Sequence, residues 1–286
     1  MTKIAIIGPG AVGTAIASAL DTQDVTLFGR QNKTVTYVDE AVSETKQVNV
    51  HALKEATDVY DIVFIAVKTH QIDNILDDLK NITHSESRVI LAQNGSGLLP
   101  KLEAYHAYQA VVYISGAKQD NVVKHFKDYK IHLRRDAFTE QFAEKIQDSQ
   151  LSLILEDDID KAIWFKLIFN LGMNTLTALG RDTARLLKDS RMEQLCRNLL
   201  NEGLQVANAA GVIYEDSFID DVMAAYQIFN DDTATSMYYD TMSEQPIEVE
   251  TIQGFIYREG QKYGLHIPYI ETTYTLLAHQ NQTRLR

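Results

Sequence analysis

Ile4-Ala5-Ile6-Ile7-Gly8-Pro9-Gly10-Ala11-Val12-Gly13 stands almost at the start of the chain and decides its fold. The first four residues are apolar and mostly β-branched, the pattern of a strand. The glycines then follow with GxGxxG spacing, and a helical pattern runs over 11–20. In a strand–turn–helix that binds a dinucleotide each glycine has its own task. Gly8 makes the tight turn, Gly10 lets the backbone approach a pyrophosphate, and Gly13 lets the helix pack close to the strand. The helix N-terminus at Ala11 and Val12 offers N–H groups and the positive end of the dipole to phosphates. Gly8, Pro9, Gly10, Ala11, Val12 and Gly13 are therefore the expected cofactor loop.

Outward from this stretch, short β-branched runs alternate with helical patterns. Strands are expected over 3–7, 25–28, 62–67, 89–91 and 111–114, and helices over 11–20, 71–79 and 98–105. Such alternation predicts βαβ units and a mainly parallel sheet. A hairpin is expected from 122–126 and 130–133, then a helix over 138–148 and a strand over 151–155. Beyond the acidic Glu156-Asp157-Asp158 the character changes to long helical periods over 160–179, 191–210, 218–228 and 247–263. The expected fold is α/β: a Rossmann-type dinucleotide-binding domain over 1–157, then an all-helical domain over 158–286 that carries substrate and catalysis.

A net charge of −12 argues against a nucleic-acid partner. No apolar run is read as long enough to span a bilayer, and the N-terminus lacks the apolar region of a signal peptide. The single cysteine, Cys196, excludes a disulfide framework, and its helical setting reads as structural. The histidines show no metal-ligand spacing, so no metal is expected. These features together predict a cytoplasmic protein.

The second strand bears on which dinucleotide binds. NAD binders usually end it in Asp or Glu, which holds the ribose 2′-OH. Here 25–28 is followed by Gly29-Arg30-Gln31-Asn32-Lys33, with no acid. A planar guanidinium at Arg30 suits a 2′-phosphate, which favours NADPH over NADH. Lys68 and Asn94 follow the strands at 62–67 and 89–91, at carboxyl ends where open α/β sheets bind ligands. Lys68 faces cofactor or substrate in this reading. Asn94-Gly95 also carries a generic turn signal.

Within Ile163-Trp164-Phe165-Lys166-Leu167-Ile168-Phe169-Asn170-Leu171-Gly172-Met173-Asn174 the apolar residues surround the helix, as in a buried one. Lys166, Asn170 and Asn174 recur every four residues and drift by only about 40° per step, so they share one narrow face with Thr177. A buried ammonium needs a polar partner. The face reads either as a pocket floor, with Lys166 as proton donor or anion clamp, or as inter-helix hydrogen bonding with Lys166 snorkelling out. Pro246 reads as the first turn of a helix, which would set Glu248 near its positive end.

The glycine loop, the segments 65–71 and 93–97, the helix 164–179, Ser236-Met237 and the run 247–255 together resemble the ketopantoate reductase (2-dehydropantoate 2-reductase) family. That family belongs to the 6-phosphogluconate-dehydrogenase-like group of Rossmann enzymes, and the resemblance covers nearly the whole chain. It implies Lys166 as the general acid on the ketone oxygen. It implies a substrate site lined by Asn94, Asn170, Asn174 and Ser236, with Glu248 accepting from the substrate hydroxyl. Asn94 and Lys68 also fall at the cofactor, and Arg30 at the NADPH 2′-phosphate. The implied activity is reduction of 2-dehydropantoate to (R)-pantoate, toward pantothenate and coenzyme A, with release of NADP+. The implied site lies in a cleft between the domains. Paralogues acting on another 2-oxo-acid or hydroxy-acid share the pattern, and a non-catalytic NADPH sensor shares the fold. The expected partner is a small-molecule 2-oxo-acid. The sequence leaves the oligomeric state open, a homodimer through the long helices being one assembly compatible with it.

Overall fold

Strand β1 (Lys3–Ile7) is buried from both sides: Ile4 and Ile6 enter one apolar cluster, Ala5 and Ile7 another, all four at most 1% exposed. Full burial of one such isoleucine contributes about 1.5–3 kcal/mol. In the computed structural model, which describes residues 2–285, the chain forms two units, one running to Asn94 and over Leu98–Ile159, the other comprising Gly95–Gly97 and everything from Asp160 on.

After β1 the first unit contains α1 (Ala11–Ala19), β2 (Asp24–Gly29), β3 (Lys33–Asp39), β4 (Glu44–Ala52), β5 (Tyr60–Ile65), α2 (Leu76–Asn81) and β6 (Thr83–Leu91). It continues with β7 (His106–Gln109), β8 (Val111–Gln119), β9 (Val122–Arg134), α3 (Ala137–Lys145) and β10 (Ser152–Glu156). The strand order is β10-β9-β3-β4-β2-β1-β5-β6-β7, with β8 paired to β9. Strands β2, β1, β5, β6 and β7 run parallel and form one half of the sheet. Period-two alternation carries the two clusters across it: Ile62 and Phe64 join Ile4, while Val63 and Ile65 join Ala5. The first face is covered by α1 and α3 through Ile16, Leu20, Phe142 and Ile146. The second is covered by Ile72, Ile75 and Leu79.

The second unit holds α4 (Ile159–Gly180), α5 (Ser190–Ala209), α6 (Phe218–Gln227), α7 (Ser236–Met242), α8 (Gln253–Lys262) and α9 (Pro268–Arg284). Helices α4 and α5 approach closely through glycines. A Cβ on Gly203 would lie 2.9 Å from Leu171, and one on Gly172 would lie 2.7 Å from the Tyr226 hydroxyl. That hydroxyl donates to the Phe169 carbonyl. Helix α9 starts at Pro268, and its next free N–H groups, of Tyr269 and Ile270, donate to the buried Glu202 carboxylate at 3.1 and 2.8 Å. Cys196 is fully buried, and burial pushes its thiol up to about 12, an inert setting.

Several expectations need correction. The hairpin over 122–133 is one strand, β9, whose antiparallel partner is β8; Asp128 at φ 60° and a register shift near Ser115 break the pattern without turning the chain. Strands β3 and β4 form an additional hairpin. The helix over 98–105 is only a 3-10 turn at Leu99–Leu102. Pro246 starts no helix: Ile247 and Val249 pack into the core from a non-helical segment, and α8 begins at Gln253. Finally, α4 is long and apolar enough, by length and composition, to cross a membrane, contrary to the sequence reading; 67% of its most apolar window is buried, as in a core helix.

Candidate functional site

In the first unit the carboxyl ends of four parallel strands lie on one edge. The Gly8 N–H donates to Phe28 O at 2.9 Å, Ala66 N to Ile7 O at 2.8 Å, and Ala92 N to Ile65 O at 2.9 Å. Along this edge stand the glycine loop after β1, Arg30 after β2, Lys68 after β5 and Asn94 after β6. Gly8 has φ +116°, and a Cβ there would lie 2.6 Å from the backbone after β5. A Cβ on Gly13 would lie 2.0 Å from Gly8 O, so the loop folds directly onto the first turn of α1. Gly10 differs, since a Cβ there would meet nothing within 4 Å. Gly10 is also the N-cap of α1, which has no side-chain cap and no acidic residue in its first turn. Its first N–H groups have no side-chain cap, and an anion seated there would satisfy them.

Arg30 is exposed, while Lys68 and Asn94 are half-buried. The sequence reading passed over Gln93. Its amide donates to Val67 O at 2.5 Å, linking the ends of β6 and β5, and its buried Oε1 has no hydrogen-bond partner among the described residues. Among the same residues no group of side chains could hold a metal ion.

In the helical unit, one face of α4 carries Lys166, Asn170, Asn174 and Thr177. Lys166 is half-buried, its ammonium 6.0 Å from the Phe169 ring centroid. Asn170 and Asn174 are 8% and 5% exposed. Lys166 and Asn174 stand about 12 Å apart along the axis at 1.5 Å per residue. At the far end, Thr177 Oγ1 lies 2.7 Å from Thr235 Oγ1, and Thr235 caps α7 by accepting from Tyr238 N at 3.1 Å. Ser236 therefore opens α7 beside the α4 face and is itself exposed.

Glu248, 6% exposed, lies in the non-helical segment before α8. Ile247 N donates to Asn281 Oδ1 of α9 at 2.8 Å, and Ile247 and Val249 pack with Ala178 and Met237. The structure thus brings the Glu248 segment, the start of α7 and the end of α4 into one region, with Lys166 further along α4. Gln253, also passed over, ties this region together. Its amide donates to Thr175 Oγ1 at 2.9 Å, and it is fully buried.

The chain matches the family description "Ketopantoate reductase PanE/ApbA" over residues 4–136 and "Ketopantoate reductase PanE/ApbA C terminal" over 158–281. It is 27% identical to the 2-dehydropantoate 2-reductase of Mycobacterium tuberculosis over 97% of each chain. It superposes on a dimeric ketopantoate reductase of Staphylococcus aureus with TM-score 0.96, at 43% identity and 99% coverage of each chain. A D-mandelate dehydrogenase with NADH shares the fold, with TM-score 0.85 at 22% identity. Two matches that together span most of the chain, with alignment end to end to these reductases, make it a member of the ketopantoate reductase family of oxidoreductases.

Proposed function

We propose that this protein reduces 2-dehydropantoate to (R)-pantoate with NADPH, Lys166 acting as the general acid. The observation that carries the reading is the α4 face, where a lysine and two amides align on a largely buried helix of a family member. The nicotinamide, when bound, supplies the hydride. Gly8 to Gly13 and the uncapped N-terminus of α1 hold the pyrophosphate, and Lys68 and Asn94 border the same edge. Arg30, with no carboxylate after β2, pairs with a 2′-phosphate.

Reduction turns the ketone oxygen into an alkoxide. Lys166 gives that oxygen its proton and is re-protonated from water, which lowers the barrier where charge develops. Glu248 accepts from the substrate hydroxyl. Ser236 and the Asn170 and Asn174 amides donate to its carboxylate. The reading includes a homodimer, as described for the Staphylococcus aureus relative, checked by light scattering.

The test is loss of NADPH absorbance with 2-dehydropantoate, run beside NADH and a panel of other 2-oxo-acids. Rapid oxidation of NADPH with 2-dehydropantoate alone supports the reading. Preference for another oxo-acid transfers the same chemistry to a paralogue's substrate. Tight NADPH binding without turnover makes the protein a sensor.

A further inference from the structure

Three cationic residues stand around the second residue of the glycine loop. Strand β8 crosses the start of α1, and a Cβ on Gly116 would lie 3.4 Å from Ala11 Cβ. Two residues on, and so on the same side of the strand, Lys118 donates its ammonium to the Pro9 carbonyl. Lys33, at the start of β3, is its neighbour and reaches Asn121 Oδ1 at 3.5 Å. Pro9 is also close to the end of β2: a Cβ on Gly29 would lie 3.0 Å from Pro9 Cγ, and Arg30 follows Gly29 directly.

None of the three has an ion-pair partner among the described residues, although the chain carries 39 acidic residues against 27 basic ones. Lys118 is exposed along its stem, yet its ammonium is desolvated and repelled by Lys33, which pulls its pKa down to about 8. Placing like charges together without a carboxylate weakens the free protein. The arrangement is offset only when a dianionic group arrives.

We infer that Lys33 and Lys118, with Arg30, form a three-cation cradle for the phosphate monoester on the 2′ position of the dinucleotide's adenosine ribose. The inference rests on the NADPH reading above and adds two residues to it. The end of β2 is where a Rossmann fold reads that position. A monoester carries nearly two charges, and NADH has none there. Charge-assisted bonds of this kind contribute about 1.5–3 kcal/mol each, or roughly 10–100-fold in affinity.

The test measures dissociation constants of NADPH, NADH, 2′-AMP and 5′-AMP for the full-length protein and for Lys33→Met, Lys118→Met, the double variant and Lys118→Arg. Each methionine variant is expected to weaken NADPH and 2′-AMP about tenfold or more and to leave NADH and 5′-AMP within twofold. Lys118→Arg, which keeps the charge, should retain most of the affinity and serves if a methionine variant does not fold. Equal losses for NADPH and NADH would move the lysines to the pyrophosphate and overturn the inference, as would unchanged NADPH binding. A wild-type protein that binds NADH as tightly as NADPH would remove the cofactor reading itself. A wild type that prefers NADPH, with lysine variants that keep that preference, would defeat this inference alone.

Discussion

Gly10→Ala separates a glycine kept for the ligand from one kept for the fold. A Cβ on Gly10 meets nothing within 4 Å, and the residue has φ −91°, open to any L-amino acid. Two small terms then oppose each other. Alanine narrows the unfolded ensemble, which stabilises by about 0.4–1 kcal/mol. Alanine is also a poorer N-cap than glycine, at a cost of about 0.5–1 kcal/mol. The net is near zero, so Tm should stay within about 3 °C. Cofactor affinity should not survive so well. The new methyl fills the room into which the pyrophosphate must come to reach the α1 N–H groups. Loss of one or two such charged bonds weakens binding about 10–10,000-fold. Gly13→Ala is the control: its Cβ would lie 2.0 Å from Gly8 O, so loop and helix must separate, and stability and binding fall together. The assay is NADPH fluorescence titration beside thermal unfolding. A folded Gly10→Ala protein that binds NADPH within twofold of wild type would refute the placement of the pyrophosphate on this loop.

Four further outcomes are expected. Lys166→Ala should lower kcat by ~10²–10⁴ with NADPH affinity little changed; an unchanged kcat in stopped-flow turnover removes Lys166 as the acid. Glu248→Ala should raise KM for 2-dehydropantoate more than it lowers kcat; an unaltered KM leaves Glu248 a purely structural carboxylate. Glu202→Ala orphans the N–H groups of Tyr269 and Ile270 and should cost about 2–4 kcal/mol in urea unfolding; a loss below about 0.5 kcal/mol would show α9 capped by water instead. NADPH affinity should be pH-dependent through Lys118. The bound anion favours the ammonium and raises its pKa, whereas the free group sits at about 8, so affinity is full below that pH and declines as pH rises past it. A flat profile for NADPH between pH 7 and 9.5, matching that for NADH, contradicts the cradle.

The sequence made some of this legible and hid the rest for physical reasons. Glycines that must be glycines announce a loop, and β1 and β5 are buried on both faces, so their apolar runs stand out. Strands β3 and β4 bury only alternate residues such as Val35, Tyr37 and Val50, and their polar outer positions leave no apolar run to mark them. The period-two pattern was present in both and is the signal that would have found them. Pro246 misled because proline fixes one dihedral angle and is as much at home in an extended segment as at a helix start. The spacing on α4 could be read because helical geometry turns a four-residue repeat into a shared face. The Lys33–Lys118 pairing could not be read, because it depends on β8 and β9 folding back against β3 and α1.

The assignment of Gly95–Gly97 to the helical unit bears on how the gene can be recombined. Ser96 N donates to Thr251 O at 2.8 Å, and Cβ atoms on Gly95 and Gly97 would lie 2.4 Å from Thr251 O and 2.9 Å from Phe255. A chimera joined near 156–158 carries the helices of one parent and this three-residue strap of the other. Exchange between relatives therefore requires two transplanted pieces, with Thr251 and Phe255 matched to the strap they receive. Drift at either end of that pairing is constrained by the other, although 154 positions separate Gly97 from Thr251 in the chain.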